Sequence, residues 1–328
     1  MSNGKFVLSL DFEIMWGVRD KKNIENYYSD NLKGVHQVIP RLLETFSGYS
    51  IKATFSTVGF LFFENKKELL ANLPDTIPHY ENKMLSPYLN EFEKMGDSYL
   101  TDVLHYAPML IKQIQAHPDQ EIGTHTFSHY YCLENGQTID DFRADIISAK
   151  KIAAKWGIDT TSLIFPRNQF NDAYLKVCEE NGIICYRGNE NSWLYKPRKK
   201  ETESQFRRAL RKMDAYVNLS GHNCYSDEFL KSKTPVDIPS SRLLRPYSPK
   251  LKMFEWLRLN RIKTGMTYAA KNNLTFHLWW HPHNFGIHQN ENFAFLEKIL
   301  DHYTFLNKRY QFESHTMTGL TKSLLQTV

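Results

Sequence analysis

Two carboxylates, two histidines, an arginine and a late group of three histidines are the residues whose spacing suits chemistry. Asp11 and Glu13 stand two apart in Leu10-Asp11-Phe12-Glu13. On a strand, residues two apart point to the same side. Two acids so close rarely ionise independently without a cation beside them. His125 and His129 stand four apart in His125-Thr126-Phe127-Ser128-His129, and one helical turn would put both imidazoles on one side. Two histidines with one carboxylate are an open ligand set for a catalytic divalent metal, water filling the remaining positions. Cys132, three residues on, would close that set. Arg167 follows the apolar run Leu163-Ile164-Phe165-Pro166, and its guanidinium fork can clamp a carboxylate. His277, His281 and His283 share strand parity in the stretch from Phe276 to Asn284, and one of them can act as a general acid.

Each group falls at the end of a segment that reads as a strand. Lys5 to Glu13 alternates, with Leu8, Leu10 and Phe12 facing helices and Ser9, Asp11 and Glu13 facing an interior or a mouth. Further strands are predicted over 51–59, 121–124, 163–166, 183–187 and 274–280. Helices are predicted over 31–46, 111–116, 139–156, 171–181, 254–271 and 292–303, with a terminal helix near Leu320. Residues 73–97 carry Pro74, Pro78 and Pro87 and read as an irregular excursion. From Glu190 to Pro249 periodicity fades. Strand–helix alternation with short links predicts an α/β fold with a mainly parallel sheet or barrel. Active sites of such barrels sit at the C-terminal strand ends, where the acids and histidines fall. The expected organisation is a single domain over 1–328 with insertions at approximately 73–108 and 190–250.

Composition narrows the function classes. At 328 residues, either two domains or one elaborated barrel fits. A hydrophobic fraction of 41% with 23% charged residues excludes wholesale disorder, collagen and coiled coil. The 21 Phe, 18 Tyr and 6 Trp suit a cleft that stacks on sugars or bases. A net charge of +5 is too weak to predict nucleic-acid binding. Asp11 breaks the N-terminal apolar run, so no signal-peptide core is expected, and no apolar run approaches the ~20 residues of a membrane span. Cys132, Cys178, Cys185 and Cys224 form no CxxC pair, which points to reduced thiols and a cytoplasmic location. Lys196, Arg198, Lys199, Lys200, Arg207, Arg208, Arg211 and Lys212 form a basic run. It reads either as a solvated surface or as a phosphate-binding element.

The order of these motifs resembles the polysaccharide deacetylase (NodB-homology, carbohydrate esterase family 4) superfamily, in its divergent branch with an Asp-x-Glu first motif. The likeness runs over residues 5–188 and 274–284: the acidic pair, the Ala53-Thr54-Phe55 strand, the His-x-x-x-His motif, the Pro166-Arg167 element and a late histidine. It implies a distorted (β/α) barrel of that type and metal-dependent hydrolysis of an N-acetyl group on a sugar. By this likeness Asp11 is the catalytic base, Arg167 orients it, and His281 protonates the leaving amine. Glu13, His125 and His129 hold a divalent metal, expected to be zinc, with cobalt, nickel and manganese also admitted. Two alternatives stay open: His283 in place of His281, and Asp11 as an additional ligand. His283, Trp280, Asn168 and Arg187 are assigned to substrate binding. The sequence departs from the family in three places. Its acids are two apart and not adjacent, Pro166-Arg167 inverts the family's Arg-x-Pro order, and no Asp motif supports the late histidine.

The expected function is removal of an N-acetyl group from a sugar in polysaccharide, glycolipid or nucleotide-sugar metabolism. The substrate is an N-acetylated sugar or glycan, phosphate- or lipid-linked in one version that would bring peripheral membrane contact. No nucleic acid and no transmembrane segment are expected. The alternatives are a metal-dependent amidase of a small ureide-type nitrogen compound and a non-catalytic glycan-binding protein.

Overall fold

A computed structural model describes residues 3–21, 29–89, 91–196 and 204–326. Strand β1 (Lys5–Phe12) is buried along its whole length. It pairs in parallel with β2 (Ala53–Thr57) on one side and with β8 (Thr275–Trp280) on the other. From β2 the sheet continues through β3 (Glu121–Thr124), β4 (Ser162–Leu163), β5 (Cys185–Tyr186) and β6 (Val236–Asp237), while β7 (Arg242–Leu243) flanks β8. A ninth strand, β9 (Glu313–His315), pairs with the first residues of β1. All pairings between these strands are parallel. The architecture is a curled α/β barrel sheet.

The two edges of the sheet are joined by one short piece of chain. Ile238 and Ser240 donate backbone N–H groups to Tyr186 and Gly188 beside β5, and Ser241 and Leu244 donate to His277 and Trp279 of β8. Residues 236–244 therefore cross from one edge to the other. This corrects the description of 190–250 as an insertion, because that segment supplies β6 and β7. Strands of two residues, the first of them flanked by Pro235 and Pro239, carry no readable period.

Helices cover the outside: α1 (Ser29–Gly48), α2 (Pro108–Gln115), α3 (Ile139–Lys155), α4 (Asp172–Glu180), α5 (Gln205–Asp214), α6 (Glu255–Lys271) and α7 (Gln289–Tyr310). Leu8, Leu10 and Phe12 join the outer core with Val35, Leu42 and Ile299 from these helices. The terminal helix α8 (Met317–Gln326) plugs the bottom of the barrel. Its Met317, Leu320 and Leu324 pack with Val7, Ile164 and Cys185. Apolar bottom and outer layers leave the upper interior to polar residues. No described helix is long and apolar enough to cross a membrane.

The irregular 73–107 stretch holds short helices at Lys83–Leu85 and Glu91–Lys94. It leans on the histidine loop through Tyr80, whose hydroxyl accepts the Tyr131 N–H at 2.9 Å. All four cysteines are free thiols.

Candidate active site

Glu13 follows β1 where the chain turns into a short 3₁₀ segment, with Ile14 at φ 45°. Its carboxylate lies against Gly17, where an added Cβ would sit 1.9 Å from Glu13 Oε1. Only glycine leaves that space. Glu13 Oε2 stands 3.2 Å from His125 Nε2 and 2.8 Å from His129 Nε2. Ligand atoms of all three residues lie within 4.8 Å of one another, and all three residues are buried. Cys132 is not among them and packs in an apolar cluster with Phe142 and Cys178.

The histidine loop is not the helical turn that its i, i+4 spacing predicts. Thr126 and His129 both adopt positive φ, 65° and 58°, and their ring partners come together by a folded loop with His125 and His129 centroids 5.0 Å apart. Asp145 of α3 holds the loop's shape. Its carboxylate accepts the backbone N–H of Phe127 at 2.6 Å, that of Ser128 at 3.1 Å, and the Ser128 hydroxyl. Thr126 Oγ1 accepts the Tyr130 N–H at 2.7 Å. Nothing in the sequence marks Asp145, which lies on a helix sixteen residues beyond the second histidine.

The donor set fits a cation. His125 Nδ1 lies 2.8 Å from the Ile164 carbonyl, so Nδ1 carries the ring proton and Nε2 presents a lone pair. That lone pair faces a carboxylate oxygen, and two acceptors in contact need a cation or a proton between them. Burial, with further depression from His125 and Arg19, pushes His129 down to about 4 despite Glu13, so this ligand is neutral as a metal requires. Burial alone would raise Glu13, but His281 beside it, together with its hydrogen-bonding contacts with His125 and His129, outweighs that and holds the carboxyl well below its usual range. Arg19 donates to the carbonyls of Trp16 and Leu85, and its Nη1 stands 3.3 Å from His129 Nδ1; because arginine only donates, that contact puts the ring proton of neutral His129 on Nε2, toward Glu13 Oε2, and a bound cation would take that proton's place.

Asp11 sits beside this centre, inside the barrel as β1 parity predicts. Burial would raise its carboxyl, and Arg187 and then His281 overcome it, leaving the pKa lowered. Arg187 Nη1 and Nη2 donate to Asp11 Oδ1 and Oδ2 at 2.6 and 2.8 Å. The same guanidinium donates to Ser9 Oγ and Asn168 Oδ1 and stacks 4.0 Å over Trp279. His277 lies below, bonded to Ser9 Oγ at 2.8 Å and pushed by burial down to about 3.

Three expectations are corrected here. Arg167 does not reach Asp11. It pairs with Asp20 and Glu134 and lies over the Tyr131 ring at 3.8 Å. Arg167 and Asn168 adopt φ near 55°, and the Arg167 side chain lines the cavity wall beside Asp20, not Asp11. The clamp is Arg187, assigned in the sequence to substrate. Its parity with inward-facing Cys185 was the available signal. Asn168 likewise braces Arg187. Trp280 is fully buried in the outer core against Phe46 and Phe285. Its neighbour Trp279, with the parity of His277, faces the site instead.

His281 and His283 separate by surroundings. His281 Nε2 lies 3.7 Å from Asp11 Oδ2 and 3.5 Å from Glu13 Oε1, with its side chain 26% exposed. His283 is buried, and burial followed by the His281 charge pushes it down to about 3. Glu13, His129, His281 and His283 all line one cavity of about 490 Å³.

The basic run divides. Arg198, Lys199 and Lys200 lie outside the described residues. Arg207 is buried and donates to the carbonyls of Trp193, Leu194 and Lys196, which is a structural role. Arg208 is exposed. Arg211 lines a second cavity beside the first.

Residues 19–186, just over half the chain, match the family model described as "Polysaccharide deacetylase". The chain belongs to the polysaccharide deacetylase family. The matched span contains His125, His129 and Arg167 but neither Asp11, Glu13, Arg187 nor His281. Their grouping therefore rests on the geometry above. Solved structures are similar in fold. One assigned to the polysaccharide deacetylases, from Mycobacterium smegmatis, has a TM-score of 0.63 at 11% identity, covering 99% of this chain and 91% of its own. Another, from Pseudomonas aeruginosa, has a TM-score of 0.55 at 10% identity, covering 98% and 90%. A GH57-type branching enzyme from Pyrococcus horikoshii has a TM-score of 0.53 at 12% identity, covering 96% and 69%. No curated protein matches.

Proposed function

We propose that this deacetylase-family protein is a metal-dependent hydrolase that removes the N-acetyl group from a sugar. The observation that carries the reading is the Asp11–Arg187 pair beside the Glu13–His125–His129 group. A base held ionised next to an acid–histidine trio is what amide hydrolysis by an activated water requires. When bound, a divalent ion supplies carbonyl polarisation and a lower pKa for water. A mixed nitrogen and oxygen donor set suits zinc and admits cobalt, nickel or manganese.

The protein's own groups do the rest. Arg187 fixes both oxygens of Asp11, so the carboxylate is oriented and stays charged to accept a proton from water. His281, the more exposed of the two late histidines, hands a proton to the departing amine. His283 is held neutral by burial and serves as part of the wall. Burial of the trio keeps bulk water from competing for its ligand atoms. The four free thiols suit a reducing compartment such as the cytoplasm.

The test is release of acetate and amine from a panel of N-acetylhexosamines by protein loaded in turn with zinc, cobalt, nickel and manganese. Turnover that depends on added metal and vanishes in Asp11→Asn supports the reading. Turnover confined to ureides, or glycan binding with no turnover under any metal, overturns it.

A further inference from the structure

Two stretches near the active-site cavity reverse the usual placing of apolar side chains. The 3₁₀ segment Pro249–Phe254 buries none of its residues. It runs straight into α6, and Leu251, Met253, Phe254 and Trp256 are all exposed, Met253 at 78% and Trp256 at 65%. In α5 the reversal is sharper. Its buried residues are Arg207 and Asp214, while Phe206, 70% exposed, and Met213 stand outside. Phe206 and Met213 are two helical turns apart and so share one side of the helix. Val217 and Leu219 carry exposed apolar surface past its end. A helix that only covers a core shows the opposite pattern.

The two stretches are neighbours on one frame of hydrogen bonds. Arg261 of α6 donates through Nε to the Asp214 carbonyl at the end of α5, at 3.3 Å. Arg258 of α6 donates to the Pro246 carbonyl at 3.0 Å and pairs with Glu255. Exposed apolar side chains on such a frame mark an interaction surface.

Charge selects the occupant. Exposed cations alternate with the apolar residues, Arg208 and Lys212 on α5 and Lys250 and Lys252 in the 3₁₀ segment. The acids of these stretches point elsewhere: Asp214 is buried against Arg242, and half-buried Glu255 pairs with Arg258. The described residues 204–219 and 246–256 therefore present exposed charge of one sign only. A second copy related by two-fold symmetry would set these cations against their own kind. An anionic lipid surface matches both features. Trp, Phe and Met settle at the boundary between headgroups and acyl chains, and Lys and Arg lay their stems on that apolar layer while their charged ends reach the phosphates.

We propose that residues 251–256, with the outward side of α5, form a docking surface for an anionic phospholipid bilayer. The 3₁₀ segment starts shortly after Arg245 and Pro246, which line the active-site cavity. Docking would thus bring that cavity up to the headgroup layer. The surface uses none of the reacting groups, so it stands apart from the deacetylase reading.

The test is sedimentation of the full chain with sucrose-loaded vesicles, one set of phosphatidylcholine alone and one of phosphatidylcholine mixed with phosphatidylglycerol. The parent should pellet with the mixed vesicles and be released as salt rises. Met253→Ser combined with Trp256→Ser should lower partitioning about tenfold or more, since both anchors are lost. Lys250→Gln combined with Lys252→Gln should lower it about fivefold for each charge removed at low salt. Leu325→Ser, an exposed apolar residue on α8 at the bottom of the barrel, should bind as the parent does. Because the substituted side chains are exposed, the variants should melt with the parent. Failure of the parent to bind mixed vesicles would overturn the proposal, as would equal binding by the parent and the Met253–Trp256 double variant. Equal binding to both vesicle types would overturn the choice of an anionic surface. A parent dimer in sedimentation equilibrium that the same double variant turns into a monomer would give the surface to a second copy. Vesicle binding is read without turnover, so loss of either reading leaves the other standing.

Discussion

Arg187 reaches across the barrel interior from the end of β5 to grip both oxygens of Asp11 on β1, at 2.6 and 2.8 Å, with both side chains almost wholly buried. Removing one partner of a buried pair leaves an uncompensated charge, a loss on the order of 3–5 kcal/mol. Arg187→Ala should therefore lower stability by about that amount, read by urea unfolding. Arg187→Lys keeps the charge but not the fork. It should fold, keep its metal, and lose kcat. Arg167→Gln is the contrast. Its side chain contacts Asp20 and Glu134, so it should spare kcat far more than Arg187→Lys does. Equal losses in the two variants would return the clamp to Arg167.

The acids and the histidine pair were legible because they lie on or just past long, clean segments. Lys5 to Phe12 alternates without interruption, and Glu121 to Thr124 ends in the histidines with no intervening breaker. The clamp was misread because a Pro-Arg pair after β4 imitates a family motif, while left-handed φ at Arg167 and Asn168 turns the chain elsewhere. Asparagine at 168 is a residue type that favours that backbone sign, but arginine at 167 carries no such signature. The strands β6 and β7 were lost for another reason. Two-residue strands between prolines are set by pairing with β5 and β8, and tertiary pairing is invisible to a local period. Trp280 was misplaced by one residue, which on a strand means the opposite face.

Metal dependence has a direct test. His125→Ala removes one of three grouped ligands, so elemental analysis should find the purified variant without the stoichiometric metal of the parent. Asp11→Asn should retain metal and lose turnover by about 10²–10⁴-fold, the scale of a lost general base. Metal loss in Asp11→Asn would make Asp11 a ligand. Full occupancy in His125→Ala would remove the histidine from the centre.

Asp145 touches none of the reacting groups yet sets where both histidines point. It accepts two backbone N–H groups and one hydroxyl from the loop. In Asp145→Asn one carboxylate oxygen becomes an NH₂ donor, and a buried N–H then loses its acceptor, a cost of about 1–3 kcal/mol. Metal affinity should fall by ~10–100-fold, as when an outer partner of a metal ligand is removed. Competition against a chelator measures it. Unchanged affinity with lowered stability would reduce Asp145 to a loop brace.

The covering stretch before α2 carries its own pH dependence. His105 is buried between Asp102, 2.7 Å from its Nδ1, and Glu91, 3.1 Å from its Nε2. Burial opposes the imidazolium, but hydrogen bonds and charge from Asp102 and Glu91 prevail and raise its pKa above 6.5. Asp102, raised by burial, is pulled down to about 2 chiefly by its bond to His105. A raised histidine stabilises the fold fully below 6.5 and loses that contribution as pH climbs through its folded value. A lowered aspartate contributes above its ordinary 3.8 and loses that as pH falls toward about 2. The triad is thus strongest from about 4 to 6.5 and weakens on both sides. Because His105 also offers its carbonyl to Trp16 Nε1 at 3.0 Å, the effect is felt by the wall behind Glu13. His105→Gln keeps hydrogen bonding and removes the charge. Melting temperature followed from pH 5 to 9 should fall more steeply above 6.5 in the parent than in the variant. Parallel curves would show that His105 is not charged in the folded protein.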